Sequence, residues 1–171
     1  EVCIVKANIL SKKKLHHQAI EYLNKILNMT ENNNEIYYLV GIEYLFLENF
    51  LKAKSNFISS LNYNSSDHGT LYNIIYCFEM LNKKSESINF LIKYLDKNPY
   101  CEISWYNLGK QYLLQKKYKE ALDSFDYAII SDENFTSPYI NKAKILEKLN
   151  KYEEAIIIYK RLLSINKTSS Y

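Results

Sequence analysis

Glycine and proline are scarce in this chain: three Gly and two Pro in 171 residues. A β-rich chain of that length needs many more turn residues, so long helices with tight connections are expected. Arginine is scarcer still. Arg161 is the sole Arg among 22 basic residues, and the rest are Lys. Nucleic-acid sites recruit Arg for two-pronged contacts, so no nucleic-acid partner is expected. No apolar run approaches the roughly 20 residues that cross a bilayer, and no signal peptide is visible, so no membrane partner is expected. The three cysteines, Cys3, Cys77 and Cys101, form no CxxC pair, and their odd number suits no closed set of disulfides. Reduced, buried thiols are expected. Histidine is limited to His16, His17 and His68. Neighbours on a helix point about 100° apart, so His16 and His17 do not converge on a metal, and no metal or cofactor is expected.

What the chain does contain is apolar and periodic. Hydrophobic residues make up 47% of it, enough for one domain with a real core. The net charge of +3 is mild. The Lys excess accompanies an abundance of Asn, Ile and Tyr, as composition bias produces, and is weak evidence for an anionic partner. The segment Trp105-Tyr106-Asn107-Leu108-Gly109, followed by Tyr112, Ala121, Phe125 and Ala128, matches itself when shifted by 34 residues in either direction. The small residue at Gly109 recurs as Ala7, Gly41 and Ala143. Ala121 recurs as Ala19, Ala53, Ser87 and Ala155. Phe125 recurs as Leu23, Phe57, Leu91 and Tyr159, and Trp105 as Cys3, Tyr37, Leu71 and Tyr139. No insertion breaks the register, so the repeats run about 1–33, 34–67, 68–101, 102–135 and 136–169.

Within each repeat the apolar residues follow the period of two amphipathic helices. The expected pairs are 1–14 and 15–29, 35–48 and 50–63, 69–81 and 84–97, 102–115 and 118–131, and 137–149 and 152–166. Short polar turns, such as Lys12–Lys14, Lys116-Lys117 and Asn150-Lys151, join the two helices of a pair. Between repeats lie Thr30–Asn34, Ser65–Asp67, Asn98-Pro99 and Ser131–Asn134. Asp67 and Pro99 fit helix starts, as a capping carboxylate and a residue with no N–H to leave unsatisfied. Paired small residues such as Gly109 and Ala121 let the two helices approach. One pair alone cannot bury its apolar face, so the pairs must stack.

This pattern resembles the tetratricopeptide repeat (TPR), across all five repeats and most closely in the fourth. The resemblance implies an all-α, right-handed α-solenoid of five stacked helix–turn–helix pairs, acting as a protein-interaction scaffold and not as an enzyme. The third repeat departs most: Ile75 stands where a small residue is usual and Ser87 replaces Ala, so an irregular pair is expected there. The first carries Cys3 in the aromatic slot and Lys6 in an apolar one.

The resemblance also implies that the first helix of each pair lines a concave face. Its sixth slot holds Val5, Leu39, Asn73, Asn107 and Asn141. An Asn amide carries donors and an acceptor and pairs with a peptide N–H and C=O together. Helices lie roughly 8–10 Å apart and an extended peptide rises about 3.3 Å per residue. One Asn per repeat therefore meets every third residue of a bound strand, an Asn ladder. Tyr38, Tyr72 and Tyr106 fill the fifth slot; Asn8, Ile42, Tyr76, Lys110 and Lys144 fill the ninth. Tyrosines supply rigid contact area with a polar tip, and Lys110 and Lys144 suit acidic groups. Asn and Tyr are frequent throughout the chain, so packing competes as the explanation. The Lys–Asn grip on C-terminal carboxylates of chaperone tails is not matched, because the fifth slot carries Tyr.

Lys12, Lys13, Lys14, Lys83, Lys84, Lys116, Lys117 and Lys151 fall in the turns within pairs, and Glu31, Asp67, Asp132 and Glu133 in the turns between them, so one rim is expected to be basic and the other acidic. The expected partner is a protein or peptide. A substrate-docking arm of a larger enzyme or regulator is the alternative, and an RNA-binding helical-repeat protein is disfavoured by the unbroken period of 34. No Gly-rich phosphate loop, HExxH or Ser/His/Asp set is present. The chain begins at Glu1 and stops at Tyr171 in mid-pattern, so it reads as a fragment; a cytoplasmic location is expected, with any targeting segment outside it. The apolar face of the last helix, with Ile157 and Leu163, suits self-association.

Overall fold

Each apolar stretch folds as a helix, and each polar interruption folds as a turn that closes its own hydrogen bonds. The computed structural model describes residues 2–27, 29 and 33–168. Ten helices occur among them: α1 (Val2–Lys12), α2 (His16–Leu27), α3 (Asn34–Phe46), α4 (Phe50–Tyr63), α5 (His68–Met80), α6 (Lys84–Leu95), α7 (Glu102–Leu114), α8 (Tyr118–Ser131), α9 (Thr136–Lys148) and α10 (Tyr152–Thr168). These are the ten expected segments, shifted by a few residues at their ends. The expected turn around Thr30, the acidic Glu31 and the terminal Ser169–Tyr171 lie outside the described residues.

The chain forms two compact units, Glu1–Lys83 and Lys84–Tyr171. Within the first, α1 to α5 pack each on the next; within the second, α6 to α10 do the same. The boundary falls inside the third repeat, the one whose sequence departs most from the pattern.

The turn inside each pair is the same in all five repeats. Lys14, Glu48, Asn82, Lys116 and Asn150, spaced 34 apart, adopt the left-handed conformation with φ between 53° and 60°. Two backbone bonds close each turn. In the fourth repeat Lys116 N–H donates to the Leu113 carbonyl (2.9 Å) and Lys117 N–H to the Tyr112 carbonyl (3.0 Å). These are the paired bonds of a Schellman motif, which satisfies carbonyls left over at a helix C-terminus. Glycine usually takes this position; here none does.

The turns between repeats recur as well. The carbonyls of Asn64, Asn98 and Asp132 accept from the N–H groups of Asp67, Cys101 and Phe135, at 3.1–3.3 Å. The expectation for Asp67 holds: its Oδ1 accepts from Gly69 N–H (2.9 Å) and Thr70 N–H (3.3 Å) at the start of α5. That for Pro99 does not. It stands second in the Asn98–Cys101 turn, where its fixed φ is suited, and α7 begins only at Glu102. The freed Pro99 carbonyl accepts from the Trp105 indole N–H at 2.7 Å. One repeat later the Tyr139 hydroxyl donates to the Glu133 carbonyl at 3.1 Å.

The small-residue slot has a more specific role than close helix approach. A Cβ on Gly109 would lie 2.6 Å from Cε1 of Phe125, and one on Gly41 would lie 2.6 Å from Cε1 of Phe57. Each ring, fully buried, rests on the bare backbone of the facing helix. Where the slot holds Ala143, the partner position holds Tyr159, which is only half-buried. In the third repeat Ile75 is buried on α5, and on α6 the buried hydroxyl of Ser87 has no hydrogen-bond partner among the described residues.

Two outcomes follow. Gly109→Ala gains about 1 kcal/mol of helix propensity but overpacks Phe125 by about 1–3 kcal/mol. It is expected to lower unfolding free energy in urea, and to do less harm in a Phe125→Leu background. Lys116→Gly relieves the left-handed backbone and is expected to raise stability by about 0.5–1 kcal/mol. Asn150→Gly is expected to gain less, because Asn already tolerates this conformation.

Candidate functional site

The first helix of each pair carries the candidate residues, and the two compact units present them differently. In the second unit the centre is Tyr106 on α7. Its ring lies tilted against Phe125 (5.9 Å between centroids) and edge-on to Phe135 (5.1 Å). The Lys110 ammonium sits 5.8 Å from the ring centroid, within range of a cation–π attraction. The Tyr106 hydroxyl accepts from Asn141 Nδ2 on α9 at 3.3 Å. Packing and polar contacts thus fix the ring from several sides while leaving it partly open to solvent. Lys144, on the same helix as Asn141, is exposed.

The asparagines are not equivalent. Asn141 is half-buried, and its Nδ2 also donates to the Ser137 carbonyl one turn back, at 3.1 Å. Asn107 is 2% exposed, and its Nδ2 donates to the Ile103 carbonyl at 2.8 Å. Both side chains bond back onto their own helices, as Asn in a helix interior tends to do. That explains how the helices tolerate them, and it fixes the direction in which each amide presents its remaining atoms. Asn107 offers the least surface of the candidates.

In the first unit the candidates are more open. Tyr72 and Tyr76 on α5 are 44% and 46% exposed, and Tyr76 meets Phe50 edge-on at 6.1 Å. Asn73 between them is half-buried. Tyr38 on α3 is half-buried against Phe57, 5.7 Å away.

Sequence reasoning missed one buried polar pair. Glu43 on α3 is 5% exposed and meets His16 Nδ1 of α2 at 2.8 Å; the His16 ring stacks on Phe46 at 5.0 Å. A lone Glu among apolar helix positions was the available signal. Two residues of the expected acidic rim are committed within their own units: Glu133 pairs with Arg161 at 3.1 Å, and Asp67 caps α5. No cluster of three metal-ligating side chains occurs among the described residues, and no helix among them is long and apolar enough to cross a membrane.

The thiols divide. Cys77 and Cys101 are buried, as expected, but Cys3 is exposed. Its place on α1, at the edge of the first repeat, leaves the aromatic slot uncovered. Burial pushes the Cys77 thiol up from 9.0 to about 11, against the pull of nearby Lys54.

Models of the tetratricopeptide repeat family match residues 1–33 and 136–169 and 103–135, together more than half of the chain. Anaphase-promoting complex subunit 3 of Schizosaccharomyces pombe is 25% identical over 126 residues. That match covers 74% of this chain and 19% of the relative, so the chain spans about a fifth of that protein's length. Among solved structures, MamA superposes with a TM-score of 0.74 at 19% identity, over 96% of this chain and 97% of that one. MamA from Desulfovibrio magneticus RS-1 gives 0.72 at 13% identity, over 99% and 96%. YrrB, described as a TPR protein with an unusual peptide-binding site, gives 0.64 at 19% identity, over 95% and 84%. These likenesses show the fold.

The thiol chemistry is directly testable. A neutral-thiol preference in the folded state means that Cys77 ionises only as pH rises from 9 toward 11, so at pH 8 its thiolate fraction is about a thousandth. An aromatic disulfide reagent at that pH is expected to titrate Cys3 at once, and Cys77 and Cys101 only after denaturant is added.

Proposed function

Since the chain belongs to the tetratricopeptide repeat family, we propose that it is a protein-interaction scaffold that binds an extended peptide, or an extended segment of a partner protein, on the first helices of its pairs. The observation that carries this is the setting of Tyr106. A ring held by Phe125, Phe135, Lys110 and Asn141 has little conformational freedom left to lose when a ligand docks on it. Rigid aromatic anchors of this kind dominate binding energy at interfaces. Lys110 beside it and Lys144 favour an acidic or carboxylate-bearing segment. In the first unit, Tyr72 and Tyr76 supply exposed aromatic surface beside Asn73 on α5, and Tyr38 on α3 supplies less.

In this reading the polar ladder that holds ligand backbone draws on Asn73 in the first unit and on Asn107 and Asn141 in the second. The back-bond of Asn107 leaves it a carbonyl oxygen and one amide proton; Asn141, with both amide protons committed to Ser137 and Tyr106, offers its carbonyl oxygen to a ligand N–H. Exposure ranks Asn73 and Asn141 above Asn107. No catalytic role is proposed. That the match to a curated relative covers only a fifth of that protein's length supports a second reading, in which the repeats are the docking arm of a larger protein; the ligand-binding face is the same in both.

Peptides selected from a random displayed library against the 171-residue chain, then titrated by calorimetry, test the proposal. Asn141→Ala is expected to weaken a selected peptide by up to about tenfold, the worth of one hydrogen bond. Tyr106→Ala is expected to cost more and Asn107→Ala less. Affinities unchanged in Asn73→Ala and Asn141→Ala would remove the ladder, and failure to select any peptide would count against the scaffold reading.

A further inference from the structure

The periodicity supplies an internal control for what an uncovered helix face means. On α8, Tyr118 and Leu122 are half-buried against the cluster that includes Ile145 of α9. Ile129 is half-buried against the cluster that includes Tyr139 of α9. Thirty-four residues later, α10 carries Tyr152, Ile156 and Leu163 in the same three positions. They are 57%, 45% and 63% exposed, and no helix among the described residues packs on them. The same apolar stripe is therefore a helix-packing surface on α8 and an open one on α10.

The charges beside the stripe suit a second copy of the same helix. On α8 the edge residue Asp126 pairs with Lys142 of α9. Its counterpart on α10 is Lys160, a reversal of sign. At 100° per residue, Glu153 and Lys160 fall on the same edge of the stripe, two turns or about 10 Å apart along the axis. When two such helices lie antiparallel about a two-fold axis, like edges face each other. Glu153 of one copy then meets Lys160 of the other, and the reverse holds across the axis, with Ile156 of both copies near the centre. The helix dipoles are opposed in the same arrangement. A helix running antiparallel on α10 also repeats the direction in which α9 covers α8.

We propose that the Tyr152–Ile156–Leu163 face of α10 is a self-complementary interface that pairs with a second copy of the chain. This proposal does not rest on the peptide-binding reading. One helix face lies at the small end of specific interfaces, so the dimer is weak, with Kd in roughly the micromolar range.

Sedimentation equilibrium from about 1 µM to about 1 mM reads the association. The 171-residue chain is expected to dimerise. Glu153→Lys and Lys160→Glu each replace two attractive contacts with two repulsive ones and are expected to weaken the dimer about tenfold. The double variant Glu153→Lys/Lys160→Glu restores both contacts and is expected to recover affinity to within about threefold. Both residues are exposed, and helical circular dichroism checks that each variant stays folded. A monomer throughout overturns the proposal, as does association that ignores the charge changes or is not recovered in the double variant; in those cases the face belongs to a different occupant.

Discussion

The left-handed turn residue inside each helix pair is the constraint on which the rest depends. Its backbone fixes the angle at which the second helix leaves the first, and the two hydrogen bonds beneath it fix the length of the turn. With that geometry repeated at Lys14, Glu48, Lys116 and Asn150, the facing positions of the pairs α1–α2, α3–α4, α7–α8 and α9–α10 come into the same register. Gly41 can then receive Phe57, and Gly109 can receive Phe125. The aromatic packing is strong, but it depends on the turn. A helix leaving at another angle would carry the ring past the glycine rather than onto it.

This ordering explains which parts of the fold were legible in the sequence. Helix positions were, because burial on one side of a helix imposes a period that composition bias does not hide. The turns were harder to read. Their usual mark, a glycine after the helix, is absent, and Lys, Glu or Asn occupies a conformation such residues seldom adopt. Here the repeat period was the usable signal, since residues 34 apart must share a backbone state whatever their side chains. Pro99 misled for a related reason: proline suits a helix start and the second place of a tight turn equally well, and only the bond from Cys101 N–H to the Asn98 carbonyl distinguishes them.

The candidate site was less legible. Slot counting identified Tyr106, Asn107 and Asn141 together, yet gave no means of ranking them. Exposure and hydrogen bonding do so: Asn107 is buried and bonded to its own helix, whereas half-buried Asn141 also reaches back to the preceding repeat to steady the Tyr106 hydroxyl. Counting slots also gave no hint that Glu43 would be buried against His16, because that pair depends on two helices from successive repeats. Contacts between repeats are where a one-dimensional pattern carries least information.

The bonds from Trp105 to the Pro99 carbonyl and from Tyr139 to the Glu133 carbonyl have a consequence for how such a chain can change over generations. Each spans six residues and ties the tip of an aromatic side chain to the middle of the preceding turn. They act as a length gauge. One residue inserted between Pro99 and Trp105 would displace the acceptor by several ångströms, beyond the reach of a hydrogen bond. A small insertion would therefore break these bonds at the place where loops ordinarily tolerate insertions best. Gain or loss of a whole repeat keeps every gauge intact, so such an array is free to lengthen or shorten in steps of 34 residues and resists change in smaller ones.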